Sequence, residues 1–159
     1  MIFNPNVFGF NDVQQFNNFF QSELKFVQKS LNKKNNNIDE SSGSLKRNLD
    51  NTIQIEIFQP YAEVYLISDD EIQIHDLEFN QVRNISTEEF ENKFLIDFIL
   101  NGIPSDYEHI VPVDDGKYIL SKDAFEIKID FINKNTLQLK YKDNMGIDNL
   151  IRFSKKSWY

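Results

Sequence analysis

A chain of 159 residues is long enough for one domain, and an apolar share of 40% that includes 15 Phe is enough for a core, which excludes wholesale disorder. There is no Cys, so disulfides, thiolate catalysis and thiol zinc sites are excluded. The net charge of −8 is unevenly carried: residues 1–50 have a net of +1, residues 51–116 a net of −13 and residues 117–159 a net of +4, a balance that opposes nucleic acid and anionic lipid as partners.

The start, Met1-Ile2-Phe3-Asn4-Pro5, has no positive charge before Lys25 and no long apolar stretch, so no signal peptide is expected and a cytosolic protein is. Val13, Phe16, Phe20, Leu24, Val27 and Leu31 follow at spacings of three and four, which predicts a helix over about 12–31, widened by Phe19 and Phe26. From 32 to 51 the periodicity stops. Lys33 to Asn37 and Glu40 to Ser44 are polar and turn-prone, so a flexible loop is expected there, with room for a short helix near Leu45 to Leu49.

Strands follow. Ile53, Ile55 and Ile57 alternate with Gln54 and Glu56, then Ala62, Val64 and Leu66 with Glu63 and Tyr65, then Ile72 and Ile74 with Gln73 and His75. A second helix over about 87–101 has a Ser86/Glu89 capping box, an Ile85/Phe90 staple, an apolar face from Phe90, Phe94, Leu95 and Phe98, and a Gly102 stop followed by Pro104. Beyond a turn at Asp114-Asp115-Gly116, alternation predicts strands at 117–120, at Phe125 to Phe131, at Leu137 to Tyr141 and near Asn149 to Phe153. The order helix, strands, helix, strands predicts a single α+β domain: an antiparallel sheet with two main helices packed on one face.

Nothing in the sequence marks a catalytic or cofactor site, so a non-enzyme with no cofactor and no metal is expected. Phosphate-cradling Gly patterns and a G-x-S-x-G elbow are absent. His75 with Asp76 and Glu78 offers metal-ligand types on a strand, and His109 stands alone beside Glu108. Pro112, Asp114, Glu126 and Lys128 are similar to the loose signature of metal-dependent nucleases, with Val113 intervening where that signature is contiguous. A metal-dependent hydrolase is therefore one alternative, and an adaptor docking through the Val13 to Leu31 stripe is another.

The acids Asp69, Asp70, Glu71, Asp76, Glu78, Asp114 and Asp115, with the aromatics Tyr61, Tyr65 and Tyr107, form the candidate partner-binding set. In this character the chain resembles the small acidic immunity proteins with which bacteria block their own toxins. The resemblance implies a cytosolic inhibitor steered by charge onto a basic toxin domain, such as a nuclease, with buried aromatics as the anchors.

Overall fold

The computed structural model describes residues 10–90, 93–103, 110–122 and 124–157. The fold is dominated by one antiparallel sheet of eleven strands, which corrects the expectation of a balanced α+β domain. A helix α1 (Phe10–Phe19) leads into β1 (Leu24–Asn32), β2 (Asn37–Arg47), β3 (Ile53–Gln59), β4 (Glu63–Ile67), β5 (Glu71–Asp76) and β6 (Gln81–Ser86). A 3₁₀ turn, Thr87–Glu89, and helix α2 (Lys93–Asn101) follow, then β7 (Ile110–Asp114), β8 (Lys117–Lys122), β9 (Phe125–Asn133), β10 (Thr136–Lys142) and β11 (Asp148–Lys155). The spatial order is β6-β5-β4-β3-β2-β1-β11-β10-β9-β8-β7. Each half of the chain is a meander, and β1 joins the halves by pairing with β11 from Leu24↔Lys155 to Leu31↔Asp148.

The long first helix does not form. The stripe Val13, Phe16, Phe20 belongs to α1 and its exit, and the chain then changes to a period of two. Leu24 and Phe26 turn inward and are buried, while Val27 is exposed, so Leu24, Val27 and Leu31 match helical spacing only by coincidence. Pairing on both sides of β1 satisfies its whole backbone, and this tertiary gain overrides the local pattern. Residues 37–47 are likewise a strand and not a loop. β2 pairs with β1 along Asn37–Leu45 and with β3 beyond a register shift at Ser42/Gly43.

The second helix starts later than expected. Ser86 caps the 3₁₀ turn, its Oγ accepting from Glu88 N at 3.2 Å, and α2 begins at Lys93. Its end is as the sequence predicts: Gly102, at φ +74°, donates to Phe98 O at 3.0 Å. Asn17 of α1 accepts from Ile103 N at 3.1 Å, which ties the two helices together.

The inner face of the sheet carries the core: Leu24, Leu45, Ile53, Ile67, Ile72, Leu120, Ile127, Leu137 and Leu139 are almost wholly buried. The sheet curls around this face. Tyr65 on β4 and Tyr141 on β10 are five strand spacings apart, about 24 Å in a flat sheet, yet they line one cavity. One end of the curl is filled by α1. Phe16 packs tilted against Phe98 of α2 at 4.3 Å between centroids, Phe20 meets Phe153 edge-on at 5.2 Å, and Phe19 meets Phe131 at 6.4 Å. Among the described residues no helix is long and apolar enough to cross a membrane.

Candidate functional site: an apolar cavity under helix α2

Away from α1 the interior is not filled. A cavity of about 150 Å³ lies between the inner face and α2. Its sheet wall comes from Phe26, Leu45, Ile55, Ile57, Tyr65, Ile151 and Phe153, and its cover from Phe90, Leu95, Ile96 and Ile99. Ile55, Ile57, Tyr65 and Phe90 have core-type side chains on the inner side, yet all four stay only half-buried. Two polar side chains, Gln28 and Ser41, stand opposite each other across β1 and β2 at the end away from α1.

Beside that end a polar cluster fixes β1 to β11. Asn149 Oδ1 accepts from Gln28 Nε2 at 3.1 Å and from Ser30 Oγ at 2.6 Å, while its Nδ2 donates to Ile147 O at 3.0 Å and Asp143 Oδ2 at 3.3 Å. Asn149 is buried and fully used, so it is a structural pin. Tyr65 donates its hydroxyl to Glu63 at 2.7 Å. Burial, then this hydrogen bond and the Glu63 charge, push its phenol well above the usual range, with Arg83 pulling the other way.

Helix α2 is held over the cavity from its C-terminal end. Arg47 on β2 donates from Nη2 to Ile99 O at 2.9 Å and from Nη1 to Leu100 O at 3.2 Å. These carbonyls have no partner within the helix, and a cation suits the negative end of its dipole. Burial lowers the guanidinium pKa, and its Nε is buried without a partner.

The residues singled out from sequence fall elsewhere. Asp69, Asp70 and Glu71 sit at the β4–β5 turn, and Asp76 and Glu78 at the β5–β6 turn, the two ends of one strand and about 17 Å apart. Asp114 and Asp115 lie at the β7–β8 turn, on the far edge of the sheet. The acids therefore form three groups, not one patch. Among the described residues no ion pair joins them to a cation from either end of the chain.

Tyr61 is exposed and close to Asp76 and Glu78, because Leu77 N donates to Ala62 O at 3.0 Å. Tyr65 instead faces the cavity, and Tyr107 and His109 lie outside the described residues. His75 is on the outer face, its Nε2 3.1 Å from Asn80 Oδ1, while the Asp76 carboxylate accepts from Glu78 N and Phe79 N. Among the described residues no three His, Asp or Glu side chains are grouped to hold a metal. Asp114 pairs with Lys117 and Glu126 with Ser121, about 14 Å apart along β8, too far to share one Mg²⁺.

A larger concavity of about 650 Å³ lies on the outer face, where Lys29, Lys128, Lys140 and Lys142 alternate with Glu126 and Asp148. Lys142 and Lys33 both reach Asp148, at 3.6 and 3.4 Å. Mixed charges facing solvent define no particular ligand, so the interior cavity is the stronger candidate.

No family model matches the chain, and no curated protein matches it. Solved structures similar to it include an uncharacterized conserved protein from Thermus thermophilus, at 12% identity over 92% of this chain and 86% of that one, with a TM-score of 0.47. Another is the ywiB protein from Bacillus subtilis, at 12% identity over 86% of this chain and 93% of that one, with a TM-score of 0.34. A third is a protein of unknown function from the DUF3598 family of Nostoc punctiforme, at 12% identity and a TM-score of 0.40, where the match spans 88% of this chain but 49% of that one.

Proposed function

We propose that the protein binds a small apolar or amphiphilic molecule between the inner face of its sheet and α2. The supporting observation is the cavity itself: apolar walls from six strands and a helix, with Ile55, Ile57, Tyr65 and Phe90 left half-buried. Apolar walls in contact with water gain about 25 cal/mol for each Å² that a ligand covers. A volume near 150 Å³ suits a single ring or a short alkyl tail. Gln28 and Ser41 would receive a polar head at the end away from α1. A longer tail would require α2 to lift, against the two bonds from Arg47.

The test is a titration with octanoate followed by methyl NMR. Signals from Ile55, Ile57, Ile96 and Ile99 should shift together in the wild-type protein, and those of Ile55, Ile96 and Ile99 should stay still in Ile57→Glu, which places a charge in the cavity. Absence of shifts in the wild type, or equal shifts in the variant, would refute the proposal.

A second reading, a cytosolic inhibitor of the toxin-immunity kind, is favoured by one surface. Phe58, Tyr61, Leu77, Phe79 and Val82 are exposed around the neighbouring β3–β4 and β5–β6 turns, beside Asp76 and Glu78. Aromatic and aliphatic groups edged by acids suit a basic protein partner. Co-expression with the product of an adjacent toxin-like reading frame would decide it: the wild type should protect cells, and Tyr61→Ser with Phe79→Ser should not.

A further inference from the structure

The two edges of the sheet are not alike. β7 carries Pro112, which has no N–H to offer, and a register shift between Pro112 and Asp114. Both features discourage another strand from adding there. β6 has neither. Gln81–Ser86 is six residues long, pairs with β5 in unbroken register, and is exposed at every position except the half-buried Ile85. Among the described residues it has no partner on its other side.

The hydrogen-bond alternation shows which groups are free. Thr87 N donates to Asp70 O at 3.1 Å, which makes that pair the hydrogen-bonded kind. Every second pair back along the ladder is the same, so Ile85, Arg83 and Gln81 bond towards β5. Val82 and Asn84 are left with N–H and C=O pointing away from the sheet, and Ser86 with its N–H, its C=O being taken by the first bond of the 3₁₀ turn.

Charge brackets this edge. At one end lie Asp69, Asp70 and Glu71, with Glu71 opposite Ser86, followed by Glu88 and Glu89 on the adjoining 3₁₀ turn. At the other lie Asp76, opposite Gln81, and Glu78. Of these seven carboxylates only Glu88 has an ion-pair partner among the described residues, Lys93. Between the two groups β6 itself bears one charge, Arg83, on the inner face opposite Ile74.

We propose that β6 is a docking edge for an extended segment of another protein, about six residues long, with alternating apolar side chains and Lys or Arg at both ends. The backbone of the segment would bond to Val82, Asn84 and Ser86 as an added strand. Its apolar side chains on the outer face would lie beside Val82, which is 56% exposed. Its terminal cations would meet the two acidic groups. The inference does not depend on the cavity being filled.

The test uses the full chain and a synthetic peptide, Lys-Lys-Val-Thr-Val-Thr-Val-Lys-Lys. Binding should protect the Val82, Asn84 and Ser86 amides from hydrogen exchange and should weaken steeply with ionic strength. Asn84→Pro removes an outward N–H without touching the β5 ladder, and it should weaken binding by at least about tenfold, the equivalent of about 1.4 kcal/mol. A peptide with Pro as its central residue should bind wild-type protein no better, a comparison that holds even if the variant folds poorly. Failure of the parent peptide to bind at low salt, or undiminished binding with either Pro, would overturn the proposal.

Discussion

Phe26 on β1 stands directly opposite Gly43 on β2, and its ring occupies the space a side chain at 43 would need. A Cβ there would be 2.8 Å from Phe26 Cζ and would collide with the Glu56 carbonyl of β3. The missing side chain thus lets one aromatic wall of the cavity lie flat while β2 shifts register against β3. Gly43→Ala should destabilise the protein by about 1–3 kcal/mol, the usual cost of overpacking, measured by urea unfolding. A wild-type midpoint would show that the wall is soft.

Arg47 should matter to α2 more than to the sheet. Arg47→Met removes both donors to Ile99 O and Leu100 O while keeping the stem. The expected loss is about 1–3 kcal/mol, reduced by removing a buried Nε that has no partner. Hydrogen exchange should separate the effects: the Gly102 amide, bonded to Phe98 O, should lose protection while the β1–β11 amides keep theirs. Equal loss in both places would show that Arg47 supports the whole fold.

Two phenols give an alkaline signature. Burial, helped by the nearby Asp143 carboxylate, pushes Tyr141 up to about 12, and Tyr65 is raised further. An unfolded phenol titrates near 10, so the folded state holds its proton more tightly. The stability tied to Tyr141 is intact below about pH 10 and is lost as the pH rises towards 12, about 2–3 kcal/mol in all. Unfolding midpoints followed through that window should fall less steeply in Tyr141→Phe than in wild type. Parallel slopes would mean that Tyr141 titrates as an exposed phenol.

Enlarging the cavity should expose its ligand function. Ile99 is buried in the cover, and Ile99→Ala should cost about 2–5 kcal/mol. Octanoate should restore part of this by mass action, raising the thermal midpoint of the variant more than that of the wild type. Equal shifts in the two proteins would argue that the added space is not continuous with the binding site.

Strands β3, β5, β9 and β10 were legible because apolar and polar residues alternate along them; in β5 and β9 burial follows the alternation, whereas Gln54 and Glu56 of β3 are half-buried and Gln138 of β10 is buried. β2 was not. Its inner positions Ser41 and Gly43 are small, one beside the polar end of the cavity and the other beneath Phe26, so no apolar alternation marks them. β1 was misread because Leu24, Val27 and Leu31 continue the helical spacing of α1, and the ladders that decide against it come from β2, itself unmarked in the sequence, and from β11, more than a hundred residues away. For the same reason the cavity was invisible: its walls look like ordinary core, and only the curl of the sheet leaves Ile55 and Ile57 short of a partner. Arg47, read as part of a polar loop, had no local signal to connect it with α2.

The union of β1 with β11 also bears on how the molecule assembles. Every other ladder joins strands that follow one another along the chain, so each half can zip up by itself from its own turns. Among the ladders of the described residues, this seam alone joins strands from opposite ends of the chain, Leu24 with Lys155, and Lys156 reaches Glu23 just beyond it at 2.8 Å. Distant contacts form late and slowly. The two meanders are therefore expected to arise first as separate units, and the step that welds them sets the pace at which the curled sheet, and the space inside it, comes into being.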